Sequence, residues 1–402
     1  MNRIKFFFLP ASIVTVLLFL GACQDTIINS TGIDRVTLTV LDSAGTAHAG
    51  ARVYDVTEGA EQYIGRTDDD GYVDLIFADD DERTVLLRKD LFLETELVLE
   101  PGPDSITTAE LVPEIIFPDH GNLGIIRIDG MDGTNRREID LIDDVGFDPS
   151  RTPELHAVAV DYHRGFVYAF VIEQGEFNRE GRLIRISDID SPGTAVVFSG
   201  DEFDGDVRQM TVTDDGDVLL GLESGWWPER GITRFIDGTA YGPVRDDDDL
   251  RVTGITRLAS GRIVYVGYGG TAEAERVKGP SFWAEPEPLF TGVGAAGEYE
   301  TASPIGVAAL DGRIVIGDAG NNRLVSVSEA GDDWAERDDA DGLAFDDPFI
   351  HAVLPDNHVY VFDPGNARLV ALAGLDDPAP LVYAPTDPGE ALDFVNNYFN
   401  FS

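Results

Sequence analysis

His156 and His351 stand in closely similar apolar strings, Leu155-His156-Ala157-Val158 and Ile350-His351-Ala352-Val353. A neutral imidazole held this way can ligate a divalent metal or carry a proton. Gln209, Gly254 and Gly306 take the matching second position in Arg208-Gln209-Met210-Thr211-Val212, Thr253-Gly254-Ile255-Thr256-Arg257-Leu258 and Ile305-Gly306-Val307-Ala308-Ala309-Leu310. Asp119, Asp318 and Asp363 each open a D-x-G-N turn between two apolar strands. There a carboxylate and an amide can bond the turn's own N–H groups or face a cation, and turn maintenance is the favoured reading. Trp226-Trp227-Pro228 puts two indoles at a loop tip, a pairing that suits a sugar ring or an apolar peptide side chain.

The elements that must position these residues emerge from the spacing. Positions 156, 209, 254, 306 and 351 are separated by 53, 45, 52 and 45 residues. Each interval holds short strands parted by turn residues, the period of β-propeller blades. Six copies of the strand–turn–strand unit begin near Ile115, Phe166, Val218, Ile263, Ile314 and Val359. Only five copies of the upstream inner strand accompany them, so the first blade is expected to borrow its inner strand from Ala391–Phe401 at the C-terminus. On one face the ring would collect His156, Gln209, Gly254, Gly306 and His351 at the channel mouth.

Upstream, Ile33 to Pro113 alternates apolar and polar residues with turn clusters and shows no helical period. Strands are expected at Val36–Leu41, Ala51–Asp55, Gln62–Thr67, Tyr72–Phe77, Thr84–Lys89, Phe92–Glu100 and Thr107–Val112. Asp68-Asp69-Asp70-Gly71 has the opening of a calcium loop but lacks its later ligands, so a hairpin turn with Gly71 at positive φ is expected. The fold class is therefore all-β, with a small β-sandwich over 33–113 followed by a six-bladed propeller over 114–402.

The N-terminus reads as a leader. Arg3 and Lys5 precede an apolar run from Phe6 to Leu20, then Leu20-Gly21-Ala22-Cys23. This resembles the lipobox of bacterial lipoproteins, which implies cleavage after residue 22, lipid on Cys23 and a tether over 23–32. Gln24 in the next position resembles outer-membrane cargo. Cys23 is the sole cysteine, so no intrachain disulfide and no cysteine nucleophile is expected. With 29 basic and 74 acidic residues the chain carries a formal charge of −45, which argues against nucleic acid as a partner. Arg outnumbers Lys 26 to 3 and Asp outnumbers Glu 49 to 25, a bias that fits a saline medium.

Three family resemblances follow from these residues. Val40–Gly45, Ala49–Val53 and Arg66–Val73 resemble the carboxypeptidase regulatory-like, transthyretin-like sandwich, a structural module in that family. Residues 305–328 and 349–372 resemble NHL repeats, and Ile126–Asn135 resembles the YWTD repeats of receptor propellers. Both families are six-bladed. In NHL-type lyases, histidines from alternate blades hold zinc. The resemblance would make His156 and His351 two such ligands, with Gly254 standing where a third should be. Gluconolactonase-like propellers hold a divalent cation with an acidic and amide cluster, so zinc or calcium is the metal this face would take.

Enzyme signatures are otherwise sparse: neither G-x-S-x-G nor H-E-x-x-H occurs. Gly267-Tyr268-Gly269-Gly270-Thr271-Ala272 fits G-x-G-x-x-A, but no helix follows it, so a tight turn is expected. Two readings stand. One is a lipid-anchored envelope protein, non-enzymatic, that engages a protein, peptide or glycan through His156, Gln209, Trp226, Trp227 and His351. The other is a divalent-metal hydrolase or lyase of the lactonase or NHL-lyase type on the same face.

Overall fold

The computed structural model describes residues 34–385, apart from 79, 103–104, 121–122, 142–151, 175–178, 191–195, 204–205, 214, 223–230, 237–238, 246–250, 269–271, 278–285, 289–302 and 331. Its ordered elements are strands and short 3-10 turns. The expected leader, the tether with Cys23, and the closing strand at Ala391–Phe401 all lie outside the described residues.

Seven strands form two facing sheets in the N-terminal part. Tyr72–Phe77, Asp34–Asp42 and Ser105–Leu111 make one, in that order, with Asp34–Asp42 antiparallel to the first and parallel to the last. Gln62–Arg66, Arg52–Asp55, Arg83–Arg88 and Thr95–Leu99 make the other, all antiparallel. Alternation in the sequence becomes alternation of burial: Val36, Leu38 and Val40 point inward, as do Val73, Leu75 and Phe77. Gly71 takes φ +75° as expected, and the Asp68 carboxylate accepts the Asp70 and Tyr72 N–H groups at 3.0 and 2.9 Å. The flanking strands belong to different sheets, however, so the turn is a corner between layers and not a hairpin.

From Ile115 onward six sheets of three or four strands follow one another, with a two-stranded hairpin, Asp339–Ala340 and Leu343–Ala344, before the last. Blade 1 shows three strands, Ile115–Asp119, Gly124–Ile128 and Arg137–Asp140. Blades 2 to 6 each show four antiparallel strands, with inner strands Thr152–Asp161, Val207–Val212, Arg251–Arg257, Pro304–Leu310 and Phe349–Val353. The apolar core is layered between neighbours. Tyr168, Phe170, Leu220 and Phe235 fill the gap between blades 2 and 3, and Val315, Leu324, Val361 and Val370 that between blades 5 and 6. This is the packing of a β-propeller.

Every described inner strand carries a register shift at the same level: between Leu155 and Ala157, Val207 and Gln209, Val252 and Gly254, Pro304 and Val307, and Ile350 and Ala352. The extra residue is a β-bulge, which turns a side chain out of the ladder. Structural equivalents of His156 and His351 are therefore Arg208 and Thr253, and the sequence matching of Gln209 and Gly254 to the histidines is one residue late.

The sandwich packs on the hairpin ends of blades 2 and 6, and one apolar cluster runs continuously from Leu38 and Leu87 through Phe92 to Ile116, Tyr162 and Phe362. The Phe92 ring meets His48 at 4.6 Å and Tyr162 at 5.6 Å, both edge-on. Tyr162 donates its hydroxyl to the Glu114 carbonyl at 2.6 Å, Lys89 donates to the His163 carbonyl at 3.0 Å, and Ser43 to that of Pro355 at 3.0 Å. Phe92→Ala would open a cavity in this joint and is expected to cost about 3 kcal/mol. An unchanged urea midpoint in that variant would show that the two parts are not packed in solution.

Candidate functional site

The bulge of blade 3 decides what crosses the channel: the residue after it is Gln209, whose amide reaches the inner strands of blades 4, 5 and 6. Its Nε2 donates to the carbonyls of Val307 at 3.1 Å and His351 at 3.0 Å, while its Oε1 accepts the N–H groups of Ile255 at 2.9 Å and Val307 at 3.0 Å. Both amide protons and both lone pairs are engaged, which fixes the amide's orientation. One side chain thus joins the inner strands of blades 3, 4, 5 and 6 and closes the channel at mid-height.

Bulge residues reach the next blade instead. His351 donates from Nε2 to the Ile116 carbonyl of blade 1 at 3.1 Å and stacks near Phe362. Thr253 donates to the Pro304 carbonyl of blade 5 at 2.5 Å. His156 lies 3.6 Å from the Glu154 carboxylate and 3.9 Å from that of Asp206, which leads into blade 3. At Gly306 a side chain would strike the Ile350 carbonyl at 2.2 Å, so blade 5 has only backbone at this point.

Sequence reasoning missed a third imidazole. His120, in the D-x-G-N turn of blade 1, donates from Nδ1 to the Leu155 carbonyl of blade 2 at 2.7 Å. Its signal was the seam left by a blade with no described inner strand, which only the fold reveals. His120, His156 and His351 all line a void of about 10 Å³ above Gln209, too small for a substrate. Below Gln209 a wider vestibule of about 250 Å³ is walled by Val158, Ile255, Val307 and Leu354. Among the described residues no three His, Cys, Asp or Glu side chains are grouped so as to hold a metal ion.

The turn aspartates are committed to the protein. Asp318 accepts from Asn321 at 2.9 Å and from Arg323 Nε at 2.8 Å, and Asp363 from Asn366 at 2.9 Å and Arg368 Nε at 2.6 Å. Both carboxylates are fully buried. Gly267 faces the inner strand so closely that a Cβ would lie 2.0 Å from the Arg251 carbonyl, which accounts for a glycine there. Trp226 and Trp227 lie outside the described residues.

Burial, opposed by only one backbone hydrogen bond each, lowers the pKa of His120 and of His351 to about 4. Both rings are neutral in the fold, whereas in the unfolded chain they protonate near 6.5. Their contribution is complete above about pH 6.5 and is lost as pH falls toward 4, amounting to about 3 kcal/mol per ring at the floor. Urea midpoints should drop across that window, and His351→Gln should flatten the drop by about half. An identical slope in the variant would mean that other groups drive it. Gln209→Ala leaves two buried N–H groups without acceptors and is expected to cost about 3 kcal/mol in the same measurement.

No family model and no curated protein sequence matches the chain. Among solved structures, a chain of the nidogen/laminin complex is similar at 14% identity and a TM-score of 0.48, over 68% of this chain and 93% of that one. A gluconolactonase from Xanthomonas campestris is similar at 12% identity and a TM-score of 0.40, over 61% and 82%. The PQQ-bound aldose sugar dehydrogenase from Streptomyces coelicolor is similar at 18% identity and a TM-score of 0.40, over 67% and 90%.

Proposed function

We propose that this protein is a cell-envelope binding protein, anchored by lipid on Cys23, that engages a protein, peptide or glycan on the propeller face bearing His120, His156 and His351. The observation that carries this reading is the Gln209 amide across the channel. Among the described residues the axis is closed at mid-height, and the void above it, about 10 Å³, is too small to surround a substrate on that face. Recognition then falls to the outer surface of that face. A formal charge of −45 gives that surface a long-range preference for cationic partners, strongest at low salt. No helix among the described residues is long and apolar enough to cross a membrane. A tether by lipid on Cys23 would need none.

Two measurements test this reading. Radiolabelled palmitate should enter the wild-type protein and not Cys23→Ser; label in the variant would remove the anchor. The 24–402 chain, assayed against lactones and esters with added calcium or zinc, should show no turnover. Hydrolysis that disappears in His156→Ala/His351→Ala would overturn the binding reading in favour of a metal hydrolase.

A further inference from the structure

In a chain with 74 acidic and 29 basic residues every cation should find an acid, yet at the edge of the sandwich some do not. Arg66, Arg52 and Arg88 face one another across three neighbouring strands, with Arg52 directly opposite each of the others. Like charges so placed repel. Arg88 is held by Glu61 and Glu94, and Arg52 by Asp90 at 3.2 Å. Among the described residues Arg66 and Lys89, the neighbour of Arg88, form no ion pair. Arg66 donates from Nε to the Gly50 carbonyl at 3.3 Å, and Lys89 from Nζ to the His163 carbonyl at 3.0 Å. Burial lowers the Lys89 pKa, and the charges of Arg66 and Arg52 lower it further against the pull of Asp90 and Asp161. Asp161 is itself held by Arg164. Three cations, Arg52, Arg66 and Lys89, thus share the Asp90 carboxylate, and two of them have no counter-charge of their own.

A cleft of about 500 Å³ opens beside them, between the sandwich and blade 1. Small-molecule sites run from about 300 to 1,000 Å³ and favour such seams between domains. Arg52, Lys89 and Asp90 line the sandwich wall, with Leu91 and Phe92 next to them. Arg66 stands beside Arg52 on the edge strand and is exposed. A Cβ on Gly50 would lie 2.8 Å from Arg66 Nη2, so the glycine lets the guanidinium rest against the turn. We propose that this corner of the cleft binds the phosphate of a small hydroxylated phosphate monoester, with Arg66, Arg52 and Lys89 as donors. Two guanidinium forks and an ammonium suit a dianion with three terminal oxygens, whereas one fork would satisfy a carboxylate. On the propeller wall the Asp190 carboxylate, 71% exposed, offers acceptors to hydroxyls on the ligand's body and would repel a second anion there. The site lies at the joint and not on the face of the histidines, so it stands apart from the reading of that face.

The test is a calorimetric titration of glucose 6-phosphate into the protein. Saturable binding is expected, weaker as salt is raised, and at least about tenfold weaker in Arg66→Gln and in Lys89→Gln. Arg66→Gln alters an exposed side chain and should melt with wild type, so its loss of affinity reports the site and not the fold. Glucose 6-sulfate, a monoanion, and inorganic phosphate, which lacks the body, should each bind several-fold more weakly. Absence of saturation, an affinity in Arg66→Gln equal to that of wild type, or glucose 6-sulfate bound as tightly as the phosphate would each overturn the site. Inorganic phosphate bound as tightly as the ester would overturn it too, as an adventitious ion only.

Discussion

Radially arranged sheets converge on an axis where inner strands crowd together, and the polar backbone groups exposed there by each bulge need partners that no neighbouring strand supplies. The Gln209 amide meets that need for blades 4, 5 and 6 at once. Much else follows from it. The channel is divided, the three imidazoles lie in a void too tight for a small molecule, and four inner strands are held at a common height. An apolar residue in its place would leave the Ile255 and Val307 N–H groups buried without acceptors, a penalty larger than the value of an ordinary hydrogen bond. The histidines extend the same principle around the rim, since His351 and His120 satisfy carbonyls on the two sides of blade 1.

The propeller was legible because its units repeat an apolar strand, a polar turn and a second apolar strand, and because the period exceeds any helical or hairpin spacing. The sandwich was legible for the same reason on a smaller scale, its seven strands lying where alternation put them. Bulges were not legible. An inserted residue leaves no trace in the spacing of apolar positions, so spacing aligns Gln209 with His156 although Arg208 is the structural equivalent, and it assigns to the rim a side chain that crosses the axis. His120 was hidden for a related reason: its partner Leu155 belongs to another blade. The tryptophan pair and Cys23 fall outside the described residues.

Scarcity of cations shapes the electrostatics. With 29 basic side chains against 74 acidic ones, arginines are shared. Arg127 holds Glu114 and Asp190, Arg88 holds Glu61 and Glu94, and Arg323 holds Asp318 and Glu336. Buried members of these sets keep their strength in salt, while the exposed ones are screened. Added salt therefore relieves the repulsion among unpaired surface carboxylates without dissolving the interior pairs.

The parallel pairing inside the sandwich has a mechanical consequence. Asp34–Asp42 lies alongside Ser105–Leu111 in one direction, matched from Val36 with Ser105 to Asp42 with Leu111. Chain leaving the first strand backward and chain leaving the second forward therefore depart from opposite ends of the pair. A force applied between the N-terminal segment and the propeller loads this ladder in shear, so its hydrogen bonds must yield together and not one after another. Such a joint resists pulling far better than it resists heat, because rupture under load is set by the rate of unfolding and not by the equilibrium stability.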